Sequence, residues 1–248
     1  MAQLQRLAIA PSQLQGREIL LTTQQQHYLG RVLRLREGDR FIAMDGQGQW
    51  WLAVLKGTQA QILEPIPVQT ELPVAITLML ALPKGNGFDE VVRYCTELGV
   101  ACIAPVLSDR TLLNPSPQKL QRWQRIAKEA AEQSERSFVP VILEPVPFTT
   151  CLAASTATHR YLFVSRSSCP HLKDAINSVS TTAEILIATG PEGGWTASEV
   201  EYAQATGFQP VSLGRRILRA VTAPIVALSL VAAAFESVPE SLKADSYD

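Results

Sequence analysis

The chain has 248 residues, of which 46% are hydrophobic and 18% are charged, and its formal net charge is −1. This composition is typical of a globular protein with room for two domains, and it excludes a disordered chain. The chain has no excess of positive charge that would indicate a nucleic-acid partner. A local basic patch is nevertheless enough to bind RNA. The cysteines are scattered without a CxxC pair, and the N-terminus lacks the apolar stretch of a signal peptide. We expect a cytoplasmic protein with no disulfide framework, no metal and no membrane span.

Residues 1–72 predict a small β-barrel, because short runs of branched and aromatic residues alternate with Gly and Asp. The strand candidates are REILLT, DRFIAMD and QWWLAVLKG, and residues 45–48 (DGQG) are typical of a hairpin turn. Between the strands, QQHYLGRVLRLREGDR carries a cluster of arginines: Arg31, Arg34, Arg36 and Arg40. Two interpretations stay open for them, a solvated surface or a patch that contacts phosphates.

Residues 73–236 predict an α/β domain with a mainly parallel sheet. Continuous apolar runs such as AITLMLAL and VACIAPVL indicate buried parallel strands, and helical patterns alternate with them. Gly99 is suited to end one helix, and Ser116 with Pro117 is suited to begin the next. The polar tail at residues 237–248 is expected to be frayed.

The segment ILIATGPEGGWTASEVE predicts a strand, a glycine loop and a helix in succession. Thr196 and Glu199 form the S/T-x-x-E pattern of a capping box, so the helix is expected to begin there. The glycines indicate either a tight turn or a backbone that a ligand approaches closely. The loop matches neither the P-loop nor the GxGxxG pattern, which argues against nucleotide phosphates.

A second loop, LGRRILRAVTAP at residues 213–224, also follows a short strand and precedes a helix. Thr222 is the candidate cap of that helix. We expect the two loops to follow neighbouring strands, so that they can clasp one flat ligand between their backbone groups.

These motifs together resemble the RsmE family, the 16S rRNA uridine-N3 methyltransferases of the SPOUT class. The resemblance rests on GPEGGW followed by SLGRRILRAVTAP, on HYLGRVLRLREGDRF with DGQG, and on LPKG, TELGV and RWQRIAKEAAEQSERSFVP. It implies a PUA-like RNA-binding barrel over 1–72 and a trefoil-knotted SPOUT methyltransferase domain over 73–236. It also implies S-adenosylmethionine as the cofactor, 16S rRNA of the small ribosomal subunit as the substrate, and a homodimer.

The resemblance further implies residue roles. The cofactor-binding candidates are Phe163, Val164, Thr189, Gly190, Pro191, Glu192, Gly193, Leu213, Gly214, Ile217 and Leu218. The RNA-binding candidates are Arg31, Arg34, Arg36, Arg40 and Arg136. Arg219 is the catalytic candidate, as a fixed cation beside the uracil anion that forms when N3 loses its proton. The alternative for Arg219 is a structural arginine that bridges loop and helix.

The chain departs from the family pattern at two positions. Tyr94 stands where the family has a lysine, and Val221 stands where it has a glutamate. Both differences are expected to remove charge near the site. They leave open a second function, that of a non-catalytic ribosome-assembly factor that binds rRNA on the same scaffold.

Overall fold

The computed structural model describes residues 4–112, 115–165, 168–180 and 182–236, so the predicted polar tail lies outside the described residues. The chain divides into two compact units. One contains the residues up to Glu71 together with Ala127–Val139, and the other contains Leu72–Ile126 and the residues from Pro140 onward.

The first unit is built on a curled six-stranded sheet with the order β1-β4-β5-β6-β3-β2. All of its strand pairs are antiparallel except β1 with β4. Its strands are β1 Arg6–Ala8, β2 Leu14–Gln15, β3 Glu18–Leu20, β4 Arg40–Met44, β5 Trp50–Lys56 and β6 Gln59–Ile66. The helix α1, Thr23–His27, continues into a π-helical turn, Tyr28–Val32. Buried side chains that include Ile19, Leu29 and Phe41 form its core.

The hairpin predicted at residues 45–48 is confirmed, because β4 and β5 pair across it with Met44 opposite Trp50. Gly46 and Gly48 both have positive φ angles, 68° and 101°, which favour glycine. The Phe138 ring covers Gly48 so closely that a Cβ there would lie 2.7 Å from it. The turn therefore depends on glycine for its backbone conformation and for packing.

Glu71 fixes the segment 136–138 within the first unit. Its carboxylate accepts hydrogen bonds from Nε and Nη2 of Arg136, at 3.1 and 2.5 Å. It also accepts hydrogen bonds from the backbone N–H groups of Ser137 and Phe138, at 2.9 and 3.1 Å. Arg136 is only 4% exposed. The prediction that Arg136 contacts RNA is wrong, because its guanidinium is buried and held by a carboxylate of its own unit.

The second unit is built on a seven-stranded sheet with the order β10-β8-β7-β12-β11-β13, to which β9 adds beside β8. Every described strand pair in it is parallel, which confirms the predicted sheet type. Its strands are β7 Ala75–Ala81, β8 Cys102–Leu107, β9 Val141–Ile142, β10 Val146–Pro147, β11 His159–Phe163, β12 Glu184–Thr189 and β13 Gln209–Val211.

Helices alternate with these strands, as the sequence predicted. They are α2 Gly87–Glu97, α3 Pro117–Gln133, α4 Phe148–Ala154, α5 Leu172–Ala175, α6 Ala197–Ala205 and α7 Thr222–Phe235. The part of α3 from Ala127 onward belongs to the first unit. Gly99 follows α2 with a φ of 92°, as expected for the residue that ends a helix. The central strand β7 has fully buried side chains at Ile76, Leu78 and Leu80. This burial explains why the sequence of β7 is a continuous apolar run.

The four cysteines are free thiols, of which Cys95 is buried and the other three are partly buried. Burial raises the pKa of the Cys102 thiol to about 11 and raises the pKa of Cys95 further, so neither ionises near neutral pH. No helix of the described ranges is long and apolar enough to cross a bilayer. Across the same residues, no cluster of His, Cys, Asp or Glu is arranged to hold a metal ion, and the absence of a metal stays a prediction.

Glu71→Ala should destabilise the protein by about 3 kcal/mol, because it removes the carboxylate that pairs with the buried Arg136 guanidinium and accepts from the backbone N–H groups of Ser137 and Phe138. The measurement is urea unfolding followed by circular dichroism. Glu64→Ala is the matched control, since Glu64 is exposed on β6, and it should change the free energy of unfolding by less than about 0.5 kcal/mol. Equal stabilities for the two variants would contradict the role given to Glu71.

Candidate functional site

The carboxyl ends of three neighbouring strands define the site. All three run in the same direction, and β11 lies between β12 and β13. The expectation that the two glycine loops follow neighbouring strands is therefore wrong, because β11 separates those strands. Their following loops therefore leave the same edge of the sheet, where ligands bind in α/β proteins. A cavity of about 520 Å³ lies at this edge.

The cavity lining includes every residue that the sequence nominated for cofactor binding. Three loops supply most of the wall, through residues 163–165, 189–195, 211–214 and 216–220. The nominated residues among them are Phe163, Val164, Thr189, Gly190, Pro191, Glu192, Gly193, Leu213, Gly214, Ile217 and Leu218. Arg219 lines the same cavity. Residues that lie far apart in the chain thus meet around one space.

Backbone and side-chain hydrogen bonds hold the first glycine loop. Gly194 N–H donates to the carbonyl of Pro191 at 2.8 Å and closes a turn. The predicted capping box is confirmed, because Thr196 Oγ1 accepts from Glu199 N–H while the Glu199 carboxylate accepts from Thr196 N–H. Glu192 Oε1 accepts from Lys84 N–H at 3.0 Å. This contact fixes the glycine loop to the segment that follows β7.

The lack of side chains at the glycines of this loop allows close packing as well as close approach of a ligand. A Cβ on Gly190 would lie 3.2 Å from the indole of Trp195, and a Cβ on Gly193 would lie 3.1 Å from the Arg110 side chain. The Trp195 indole in turn stacks on Phe148, with ring centroids 4.2 Å apart. Glycine at 190 therefore allows a large aromatic ring to form part of the cavity wall.

Sequence reasoning missed Arg110 and Trp195, which both line the cavity. Arg110 Nη1 donates to the carbonyl oxygens of Gly193 and Trp195, at 2.5 and 3.4 Å. The neighbouring Asp109 N–H donates to Glu199 Oε1 at 2.9 Å. One sequence feature could have identified Arg110 as a site residue. With Asp109 it forms a pair of adjacent charged residues just after the carboxyl end of the parallel strand β8, where ligands bind in such sheets.

The second glycine loop depends on Gly214, whose φ of 107° favours glycine. Gly214 N–H donates to Ser212 Oγ at 3.0 Å and tightens the loop. The prediction that Thr222 caps the next helix is wrong, because α7 begins at Thr222 and Val221 occupies the cap position without a side-chain hydrogen bond. The chain enters this helix through a tight turn in which Arg219 O accepts from Thr222 N–H.

The two departures from the family pattern lie outside the cavity lining. Val221 packs against the start of α2, where a Cβ on Gly87 would lie 2.6 Å from Val221 Cγ1. Tyr94 is exposed on α2. Neither Val221 nor Tyr94 is among the residues that line the cavity. The expectation that both differences remove charge next to the ligand is therefore not supported.

Arg216 and Arg219 give the cavity wall an exposed positive charge. Within the described part of the chain, the Arg219 side chain makes no hydrogen bond or ion pair. Its backbone carbonyl accepts from Thr222 and Ala223. The side chain therefore does not bridge loop and helix through polar contacts, which favours the interpretation in which its charge acts on a ligand.

Two buried polar atoms in residues of the cavity wall have no hydrogen-bond partner in the described structure. They are Thr189 Oγ1 and Trp195 Nε1. An unpaired buried polar atom costs about 1–3 kcal/mol, so such atoms are usually satisfied by a ligand or water. The site therefore suits a ligand that carries polar groups among its apolar ones.

The N-terminal arginines lie on the surface of the first unit. Arg31, Arg34, Arg36 and Arg40 are all exposed. Arg34 has a left-handed backbone with a φ of 58°, directly after the helical segment. Exposure fits both a solvated surface and a patch that contacts phosphates, so it does not distinguish the two interpretations.

Comparison with known proteins decides the family. A family model of the RNA methyltransferase domain matches residues 70–232, and a model of the RNA methyltransferase PUA domain matches residues 21–63. The chain is 51% identical to ribosomal RNA small subunit methyltransferase E of Synechocystis over 238 residues, which cover 94% of this chain and 78% of the relative. The chain belongs to the RsmE family of RNA methyltransferases.

Other RsmE proteins agree in sequence and structure. Ribosomal RNA small subunit methyltransferase E of Bacillus subtilis is 30% identical, covering 85% of this chain and 88% of the relative. The crystal structure of the Neisseria gonorrhoeae protein of that name, bound to S-adenosyl methionine, is 30% identical with a TM-score of 0.83. It covers 93% of this chain and 98% of its own. The predicted fold class is confirmed, an α/β methyltransferase domain of SPOUT type preceded by a PUA-like β domain, and the protein is a methyltransferase.

Proposed function

We propose that this RsmE-family enzyme transfers a methyl group from S-adenosylmethionine to N3 of a specific uridine in 16S rRNA of the small ribosomal subunit, in the cytoplasm. The observation that carries the proposal is the cavity, where the glycine loops after β12 and β13, the two strands that flank β11, meet beside the exposed cation of Arg219. In this proposal, the domain over 73–236 catalyses methyl transfer and the PUA-like domain over 1–72 binds RNA.

The residues of the cavity fit the cofactor. S-adenosylmethionine supplies an electrophilic methyl group when it is bound. Its adenine and amino-acid groups would be held by Thr189–Gly194 and Leu213–Leu218, with Phe163 and Val164 as the third wall. The unpaired atoms Thr189 Oγ1 and Trp195 Nε1 offer hydrogen-bonding capacity to such a polar ligand.

Arg219 would stabilise the reacting base. Removing the N3 proton of uracil spreads negative charge over the two neighbouring carbonyl oxygens, and a fixed cation beside them lowers the energy of that anion. Arg219 is exposed and lines the cavity. We assign the proton to water, since Val221 offers no carboxylate and its side chain packs against Gly87.

The alternative function, a non-catalytic assembly factor, rested on Tyr94 and Val221. Neither residue lines the cavity, and membership of a methyltransferase family favours catalysis. Because the Val221 side chain packs against Gly87 and not into the cavity, its replacement of the family glutamate is compatible with an active enzyme.

Cofactor binding should depend on both glycine loops. Gly190→Val should displace Trp195, and Gly214→Val should distort a backbone with a φ of 107°, so each should abolish binding of S-adenosylmethionine in calorimetry. Gly57→Val is the matched control, because Gly57 also has a positive φ, 58°, but lies in the turn between β5 and β6. Normal binding by both cavity variants would mean that the site is elsewhere.

Methyl transfer should depend on Arg219 far more than on residue 221. Arg219→Ala should lower the rate by about 10²–10³, the usual effect of losing one fixed group that stabilises a developing anion. A new general base would raise the rate by about 10²-fold or more. Val221→Glu should change the rate by much less than that. The assay follows a labelled methyl group into undermethylated small-subunit particles. A native protein without activity, together with an active Val221→Glu variant, would contradict this mechanism.

The N-terminal arginines should contact rRNA phosphates. Arg31→Ala with Arg36→Ala avoids the strained backbone of Arg34 and should lower the slope of log Kd against log salt by about 2. Lys56→Ala is the control, since Lys56 is an exposed cation of the same unit outside the cluster. An unchanged slope in the double variant would leave these arginines as a solvated surface.

The protein should be a homodimer through its C-terminal domain. The helix α7 is apolar almost all round, and Ile225, Val226 and Leu230 are only partly buried within one chain. A second copy would cover them. Light scattering at micromolar concentration should give twice the mass of one chain, and the mass of a single chain would refute the dimer.

A further inference from the structure

A second, smaller cavity of about 250 Å³ adjoins the first one. The two share part of their lining, namely Ser165, Ser212, Gly214, Arg216 and Ile217. Three residues line only the second cavity, Cys169, His171 and Arg215. The common wall means that a ligand in one cavity lies next to a ligand in the other.

Hydrogen bonds between two chain segments build this second cavity. Ser212 N–H donates to Pro170 O and Leu172 N–H donates to Ser212 O, both at 2.9 Å, so His171 and Ser212 form a parallel bridge. On the other side of Ser212, its hydroxyl holds Gly214 N–H at 3.0 Å. The wall therefore belongs to the folded framework of the sheet edge.

The lining of this cavity offers donors and positive charge. It contains Arg215 and Arg216, and it contains no Asp or Glu among the described residues. Neither guanidinium makes a hydrogen bond or ion pair within the described part of the chain. His171 Nδ1 accepts from Lys173 N–H at 3.1 Å, so the neutral ring carries its proton on Nε2 and adds a further donor. Such a set of donors suits an anion.

We infer that the second cavity binds a phosphodiester group of the rRNA strand next to the target uridine. An arginine fork matches the geometry of phosphate oxygens, and phosphate contacts set the register of a nucleic acid on a protein. The shared wall would then anchor the strand while the base enters the larger cavity. The inference rests on the proposed function, because it takes the larger cavity as the site of methyl transfer.

The carboxylate of the cofactor is the other anion within reach of this wall, and the two ligands predict different behaviour. A phosphodiester subsite affects RNA affinity and its dependence on salt. A carboxylate subsite affects the affinity for S-adenosylmethionine alone. Arg215 is the informative residue, since Arg216 lines both cavities.

The experiment compares Arg215→Gln with the native protein in filter binding to undermethylated 16S rRNA and in calorimetry with S-adenosylmethionine. We expect RNA affinity to fall by about tenfold and the salt slope to fall by about 1, with cofactor affinity unchanged. Arg215→Lys should restore much of the slope, because it keeps the charge. Arg93→Gln is the control, since Arg93 is exposed on α2 and lines neither cavity.

Two results would overturn the inference. Weaker cofactor binding with an unchanged salt slope would assign the cavity to the cofactor carboxylate, and no change in either affinity would mean that it binds no anion. Failure of the proposed function looks different, because the native protein itself would then fail to bind S-adenosylmethionine or to methylate uridine.

Discussion

The pairing of β11 with both β12 and β13 is the constraint on which the site depends. Leu162 of β11 lies opposite Ala188 on one side and Pro210 on the other, so the three strands end almost level. Since Leu162 and Ala188 are fully buried, a register slip would turn buried side chains outward. The level strand ends bring three loops together, and those loops supply nearly all of the cavity wall.

Local chemistry made much of this architecture predictable. Buried parallel strands read as apolar runs, the capping box at Thr196 and Glu199 marks a helix start, and Gly99 ends a helix with positive φ. Long-range contacts were not predictable in the same way. Arg110 contacts Gly193, which lies 83 positions away in the chain, and Arg136 contacts Glu71, which lies 65 positions away. No local sequence pattern links residues so far apart, so these contacts could not be predicted. The cap at Thr222 failed because a backbone turn from Arg219 begins that helix.

A net charge of −1 conceals a local concentration of positive charge. The loop after β13 carries Arg215, Arg216 and Arg219 beside two adjoining cavities, and Glu192 is the one acidic residue among the described residues that line them. An enzyme that must hold RNA and stabilise a uracil anion needs cations at that place, whatever the balance over the whole surface.

Mass spectrometry of rRNA nucleosides from a strain that lacks this gene is the most direct test of catalysis at uridine N3. The 16S rRNA of that strain should lose N3-methyluridine, the native gene should restore it, and a gene encoding Arg219→Ala should not. N3-methyluridine that persists at its normal level without the gene would contradict the proposed activity and favour the non-catalytic assembly factor.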